Sequence, residues 1–363
     1  MRSHILALTF LLGGSAVACA QWTIQDSHTT ADLHSIDSTG NGIAWAGGSN
    51  GVILRTQNEG QSWETCAPPS TTGHDDFRAI QAIDAETAIV MSSGKGHLSK
   101  IYKTTDGCKT WKLTFENPDD MGSFANLRRI SKSQFYLLGQ PVDGKFAVFL
   151  SQDGGENWFA ADDPGLESAT GQLVSAESNS AMYSEAAALY FGTVGVGQPD
   201  VYFTYPKCDK TKPGSPCSVA WGKTEIPIAA GTPVSGVSSI AFRAQLNLGT
   251  GAVIIIGAVV GGNADKPEDA SATAAYTADG KIWQPAKTMP GGYRSAVAYN
   301  RAAGLWIAVG PNGTDESNDD GKNWHALKPG PQDSPDADRN WTALSLPFVV
   351  GPHGRIGKLK SKP

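Results

Sequence analysis

The chain is poor in charge: Asp, Glu, Lys and Arg make up 18% of its 363 residues, below the roughly 25% usual in soluble domains. The common helix fillers Lys, Glu and Leu are thin, and the 42 glycines exclude a helical bundle. Long hydrophobic runs are missing after the first twenty residues. The longest, Ala252 to Val260, is interrupted by Gly257 and rich in β-branched residues, so it predicts a buried strand and no membrane span. Basic residues do not outnumber acidic ones: 29 against 35 give a net charge of −6, the wrong sign for a nucleic-acid partner. No G-x-G-x-x-G, Walker loop, H-E-x-x-H or zinc-spaced Cys/His group occurs, so no cofactor and no metal are expected. Gly47-Gly48-Ser49-Asn50-Gly51 fits G-x-S-x-G, but it lies between two strand-like runs with no helix after it and reads as a hairpin turn.

Glycine (42 residues) and Trp (ten) are what the chain has in excess. With its β-branched and aromatic residues, this predicts an all-β fold of short strands joined by tight turns.

The first twenty residues read as a signal peptide. Met1-Arg2-Ser3-His4 is a short basic start, Ile5 to Leu12 an apolar run, and Ala18-Cys19-Ala20 an A-x-A cleavage pattern before Gln21. A lipobox-like Ala16-Val17-Ala18-Cys19 competes; it would lipidate Cys19 but lacks the usual Leu three residues before the cysteine. The expected location is secreted or periplasmic, with residues 21–363 as one domain. In an oxidising compartment four remaining cysteines suggest disulfides. Cys208 and Cys217 flank a Pro/Gly-rich tip and are expected to close a hairpin; Cys66 and Cys108 then pair by default.

One octet recurs, Ser/Thr-x-Asp-x-Gly-x-x-Trp. Its copies carry Asn58 and Trp63, Asp106 and Trp111, Asp153 and Trp158, Asp319 and Trp324, and, one residue shorter, Asp279 and Trp283. Its chemistry is that of a turn: the carboxylate accepts backbone N–H groups, Gly supplies positive φ, and the Trp starts the next strand and covers the turn. A calcium loop is disfavoured because one carboxylate recurs per copy. The Trp spacings are 48, 47, 125 and 41. Trp221 splits the long gap and marks a degenerate copy around the Cys208/Cys217 tip. A unit of four strands every 40 to 60 residues is a propeller blade. Three strands after Trp341 lack a fourth, and Trp22-Thr23-Ile24-Gln25 is a strand without a blade. Pairing them gives a seven-bladed β-propeller of four-stranded antiparallel blades, its ring closed by the N-terminal strand on the C-terminal blade.

The octets resemble the Asp-box repeats of the BNR/sialidase-like superfamily. Ala44-Trp45-Ala46-Gly47-Gly48, Ile101 to Gly107, Gly310 to Gly313 and Val349 to Ile356 look like bacterial relatives of the photosystem II stability/assembly factor, often described as oxidoreductases or glycosyl hydrolases. The resemblance spans essentially the whole mature chain. It implies a non-catalytic scaffold that binds an assembling membrane protein. A nicotinamide or flavin oxidoreductase has no motif to support it.

Binding is expected at the channel mouth opposite the Asp-box face. Aligning innermost strands by their apolar residues makes His34, Arg78, Arg128, Ser238 and Arg294 equivalent, a ring suited to an anionic protein or glycan partner. Alternatively each Arg braces the ring by pairing with carboxylates such as Asp75 or Asp76. The loops holding Asp143 and Lys145, and Asp265 and Lys266, would join the same face, or be solvated turns. The chain is read as a monomer. The competing function is a sialidase-superfamily-like glycoside hydrolase or carbohydrate-binding protein. The resemblance implies three Arg, a Tyr/Glu nucleophile pair, an Asp acid and an Arg-Ile-Pro motif for a sialidase. Phe77-Arg78-Ala79-Ile80 is not that motif, and the sequence assigns no pair and no catalytic residue.

Overall fold

The computed structural model describes residues 22–69, 75–161, 165–185, 188–207, 218–246, 251, 253–331 and 333–360. Strand β1 (Trp22–Gln25) comes first. Strands β2 (Leu33–Gly40), β3 (Ile43–Gly48), β4 (Ile53–Thr56) and β5 (Glu64–Thr65) then form an antiparallel meander. The pattern repeats in β6 (Phe77–Ala82), β7 (Ala88–Ser92), β8 (Lys100–Thr104) and β9 (Lys112–Glu116), and in β10 (Phe124–Arg129), β11 (Phe135–Val142), β12 (Lys145–Ser151) and β13 (Phe159–Ala160). A larger sheet follows. It holds β14 (Gln172–Val174), β15 (Met182–Glu185), β16 (Ala188–Gly195), β17 (Asp200–Lys207) and β18 (Ser218–Glu225). Strands β19 (Thr232–Leu246), β20 (Val253–Asn263), β21 (Ala274–Thr277) and β22 (Trp283–Pro285) complete it. Within that sheet β15 to β18 and β19 to β22 are two meanders of the same kind, fused where Val194 of β16 pairs with Gly236 of β19. Strands β23 (Ala296–Asn300), β24 (Leu305–Gly310), β25 (Gly313–Ser317) and β26 (His325–Leu327) make the next sheet. The last contains β27 (Ala343–Ser345), β28 (Phe348–Val350) and β29 (Ile356–Leu359), with β1 paired to β29 from Trp22↔Leu359 to Gln25↔Ile356. The only helical element among the described residues is a 3-10 turn, Gly96–Leu98.

Apolar side chains pack between consecutive sheets. One core cluster joins Trp45 and Ile53 to Phe77 and Ile80, and another joins Ala258 and Val260 to Val297 and Trp306. A further cluster joins the last sheet to the first, through Phe348 and Val350 against Leu33, Ala46 and Leu54. Burying the face of each sheet against its neighbour is the main stabilising term.

The octets are turns. Asp153 Oδ1 accepts from the Glu156 and Asn157 N–H groups at 3.1 and 3.0 Å, and Ser151 Oγ accepts from Gly155 N–H at 2.8 Å. The other copies share this scheme around Asn58, Asp106, Asp279 and Asp319. Hydrogen bonds from the Thr110 and Asn157 side chains, and then from the turn N–H groups, hold the Asp106 and Asp153 carboxyls down at about 2. Only Trp283 begins a strand; Trp63, Trp111, Trp158 and Trp324 stand one residue before theirs. Trp158 and Trp324 donate to Gly155 O and Gly321 O of their own turns. Trp221 instead lies within β18 and is buried in the core. Its expected turn, with Cys208 and Cys217, lies outside the described residues. Cys66 is joined to Cys108, a link from the end of one sheet to the octet turn of the next.

Candidate functional site

In the first three sheets the octet turn and the first-to-second strand hairpin share one end: Glu59 N–H donates to Gly42 O, Gly107 N–H to Glu86 O, and Gly154 N–H to Ser133 O. The innermost strands therefore start at the opposite end. There, a mouth cavity of about 360 Å³ is lined from several sheets, by Asp76, Arg78 and Ser93, by Gln140, by Ser175 and Glu177, by Val234 and Ser238, and by Tyr293.

A bulge recurs at the start of the innermost strands, after Leu33, Phe77 and Val237. It places His34, Arg78 and Ser238 as equivalents, as the sequence alignment has them. Arg78 is held by Asp76, with Nε and Nη2 at 2.8 and 2.7 Å from Oδ2, and His34 Nε2 lies 3.2 Å from Oδ1. Burial pushes the Asp76 carboxyl up, but the His34 hydrogen bond and the Arg78 charge outweigh it and hold it below the ordinary range. The bracing pairing foreseen for Asp76 thus forms, whereas Asp75 hydrogen-bonds Tyr102.

The other two arginines do not converge on this mouth. In β10 the bulge falls after Phe124, so Ala125 is Arg78's equivalent and Arg128 sits three residues deeper. Arg128 enters a second, smaller cavity of about 200 Å³ that every innermost strand helps to line, beside Asp37, Gln81 and Tyr183. Its guanidinium stacks on Tyr183, 4.5 Å from the ring centre, and its Nε donates to Ser184 Oγ at 3.2 Å. Arg294 is displaced by one residue. Its N–H donates to Gly261 O as Leu33 N–H donates to Gly351 O, so it corresponds to Leu33 and turns into the packed interior. A one-residue slip exchanges the two faces of a strand. There Arg294 is 2% exposed and ion-paired with the equally buried Asp315, with further bonds to Tyr293 O and Asn312. Asp143, Asp265 and Lys266 are exposed, Lys145 is half-buried, and none of the four lines the mouth cavity.

Two mouth residues escaped the sequence reading. The innermost strand of the β15–β18 sheet is split: β14 and β15 pair with β16 on either side of an excursion over residues 175–181. That excursion carries Glu177 into the cavity. The signal was the long Trp158-to-Trp221 interval, 63 residues against 47 or 48 earlier. Glu177 Oε2 accepts from the Tyr293 hydroxyl at 2.5 Å, and that hydroxyl accepts from Ser238 Oγ at 3.0 Å. Burial, then the Glu177 charge, raises Tyr293 well above the ordinary tyrosine value, so it stays a donor.

Further along, one position on each of several innermost strands reaches the next strand. Asp37 Oδ2 accepts from Ala82 N–H (2.8 Å), Gln81 Oε1 from Arg129 N–H (2.8 Å), and Ser345 Oγ from Ser38 N–H (3.0 Å). Burial pushes Asp37 up to about 6, against the opposing pull of the Ala82 N–H, Arg129, Arg128 and Ser345.

The family model for the photosynthesis system II assembly factor YCF48 matches residues 12–160. Among solved structures, YCF48 bound to D1 peptide aligns with a TM-score of 0.60 at 16% identity, covering 99% of this chain and 100% of that one. YCF48 from Cyanidioschyzon merolae aligns with a TM-score of 0.59 at 17% identity, covering 94% and 99%. No curated protein matches the sequence. The family match covers under half of the chain, and the structural likeness shows the fold, a β-propeller resembling that of the photosystem II assembly factor.

Proposed function

We propose that the chain is an exported, non-catalytic scaffold that binds a protein segment at the channel mouth opposite the Asp-box turns. The observation carrying this reading is the polar, partly apolar-walled mouth cavity of about 360 Å³ built from several sheets. A fold relative that binds a peptide, YCF48 with D1 peptide, supports the class of partner. The architecture proposed with it is a ring of seven four-stranded blades. In its favour are the β1–β29 pairing, the core shared by the last and first sheets, and the Ser345–Ser38 bond across the same junction. Export rests on the N-terminal signal pattern and accords with the Cys66–Cys108 disulfide.

The glycosidase reading finds its residue types here but not their geometry. Tyr293 and Glu177 pair, yet the tyrosine is 3% exposed and held protonated, unlike a nucleophile, and only one of the three arginines enters the cavity.

Selection of displayed peptides on the full chain, followed by binding to a mouth-plugged Val234→Trp variant, tests the proposal. Loss of binding with an unchanged unfolding temperature is expected. Arg128→Ala, at the other cavity, should leave binding intact. Selected peptides that bind the plugged variant equally well would move the site elsewhere. Turnover of fluorogenic glycosides that disappears in Glu177→Gln would replace the scaffold by an enzyme.

A further inference from the structure

The mouth is not the anion site that a ring of arginines would make. Its one cavity-lining arginine is already matched, because Arg78 is pinned to Asp76, which His34 also approaches. The other charged wall group is Glu177, and among the described residues its hydrogen-bond partner is a neutral hydroxyl, that of Tyr293. Tyr293 orients the carboxylate without neutralising it. An incoming carboxylate would have to share Arg78 with Asp76, which already offsets its charge, and approach Glu177 against like charge. An incoming ammonium or guanidinium meets an oriented, half-desolvated carboxylate instead.

The rest of the wall suits the stem of such a group. Val174, Ala176, Val194, Pro233 and Val234 supply apolar surface beside Glu177. Lys and Arg bury their methylene stems on such surface while the charged end reaches a polar partner. The net charge of −6 draws cations toward the chain.

We propose that the mouth cavity captures a Lys or Arg side chain of the partner, with the cation on Glu177 and the stem against the valine-rich wall. This deepens the scaffold reading and rests on it, by naming the anchor residue.

The test uses the full chain and three labelled twelve-residue Gly/Ser peptides, carrying three Lys, three norleucines or three Glu, measured by fluorescence anisotropy. The Lys peptide should bind at least tenfold tighter than the norleucine peptide and weaken between 50 and 300 mM salt, on the order of the screening expected for a partly exposed pair. Glu177→Gln, which keeps an acceptor for Tyr293, should lose that tenfold preference. Glu59→Gln, an equal change of net charge on an exposed octet turn, should not. Arg78→Ala should bind the Lys peptide as well as the parent or better, because it leaves Asp76 without its cation. Unfolding temperatures and a Glu177→Asp variant separate misfolding from loss of the anchor.

Three results would overturn the anchor: no preference for the Lys peptide, a preference that Glu59→Gln removes as fully as Glu177→Gln does, or tighter binding of the Glu peptide that Arg78→Ala abolishes. The last leaves the mouth as a protein site and reverses only its charge. Binding that survives Val234→Trp defeats the mouth reading itself.

Discussion

Asp37 shows how one cavity residue is both a brace and a cost. Its carboxylate accepts the Ala82 N–H, yet burial lifts it from 3.8 to about 6, although Arg128 and Arg129 pull the other way. A folded-state value above the unfolded one means the protonated form stabilises the fold. That contribution is complete below about pH 3.8 and is lost as pH rises through about 6. Asp37→Asn keeps an acceptor and never ionises. It should match the parent near pH 4 and be more stable by on the order of 2 kcal/mol at pH 8. Urea unfolding at the two pH values measures the difference, and an equal effect at both would show that the charge is not the cause. Gly155 is decided by shape. It has φ of 84°, and a Cβ would stand 2.4 Å from Ile89 Cδ1 of the neighbouring sheet. Gly155→Ala should therefore lower stability by roughly 1–3 kcal/mol, read from thermal melts.

At the scale of elements, the octet turn is self-sufficient. In the Asp153 copy, the Ser151 hydroxyl, two N–H groups and the Asn157 side chain all converge on one carboxylate. That is why its residues are recognisable without any tertiary information, and why five copies give the repeat length. The disulfide adds a tie between sheets, since Cys108 sits inside an octet turn and Cys66 just after β5. It closes a loop with a separation of 42 residues, for which the chain-entropy model gives about 4 kcal/mol. Replacing both cysteines by Ser should lower the unfolding free energy by roughly 2–4 kcal/mol, and reductant should then have no further effect on the melt of that variant.

For the whole molecule, the decisive contact joins the two ends. Trp22 packs on Trp341 with ring centres 6.0 Å apart and donates to Thr314 Oγ1 at 3.1 Å. Deleting residues 22–25 would remove the strand on β29 and leave a sheet edge open. We expect a lower, broader unfolding transition and concentration-dependent self-association of that deletion in sedimentation velocity. A deletion variant that melts like the parent and self-associates no more than it does would show that the end-to-end pairing does not hold the fold.

The sequence by itself determined what short stretches of chain can settle. The Asp/Gly/Trp turns, the alternation of strands and their period depend on local hydrogen bonds and positive-φ glycines, so they are legible in any copy. The pairing of Trp22–Gln25 with Ile356–Leu359 was legible too, because two incomplete units fit only each other. The site was legible in part. His34, Arg78 and Ser238 were aligned correctly, but Phe124 and Leu127 are both apolar and buried, and nothing local says which one precedes the bulge. Arg294 was misread because neighbouring residues of a strand face opposite ways and only the contact with the preceding sheet fixes the phase. Glu177 reaches the mouth on an insertion whose path no repeat dictates. Tertiary structure alone decided which charges meet at the mouth, because that depends on the register of strands contributed by separate sheets, and register is set by packing across the whole chain.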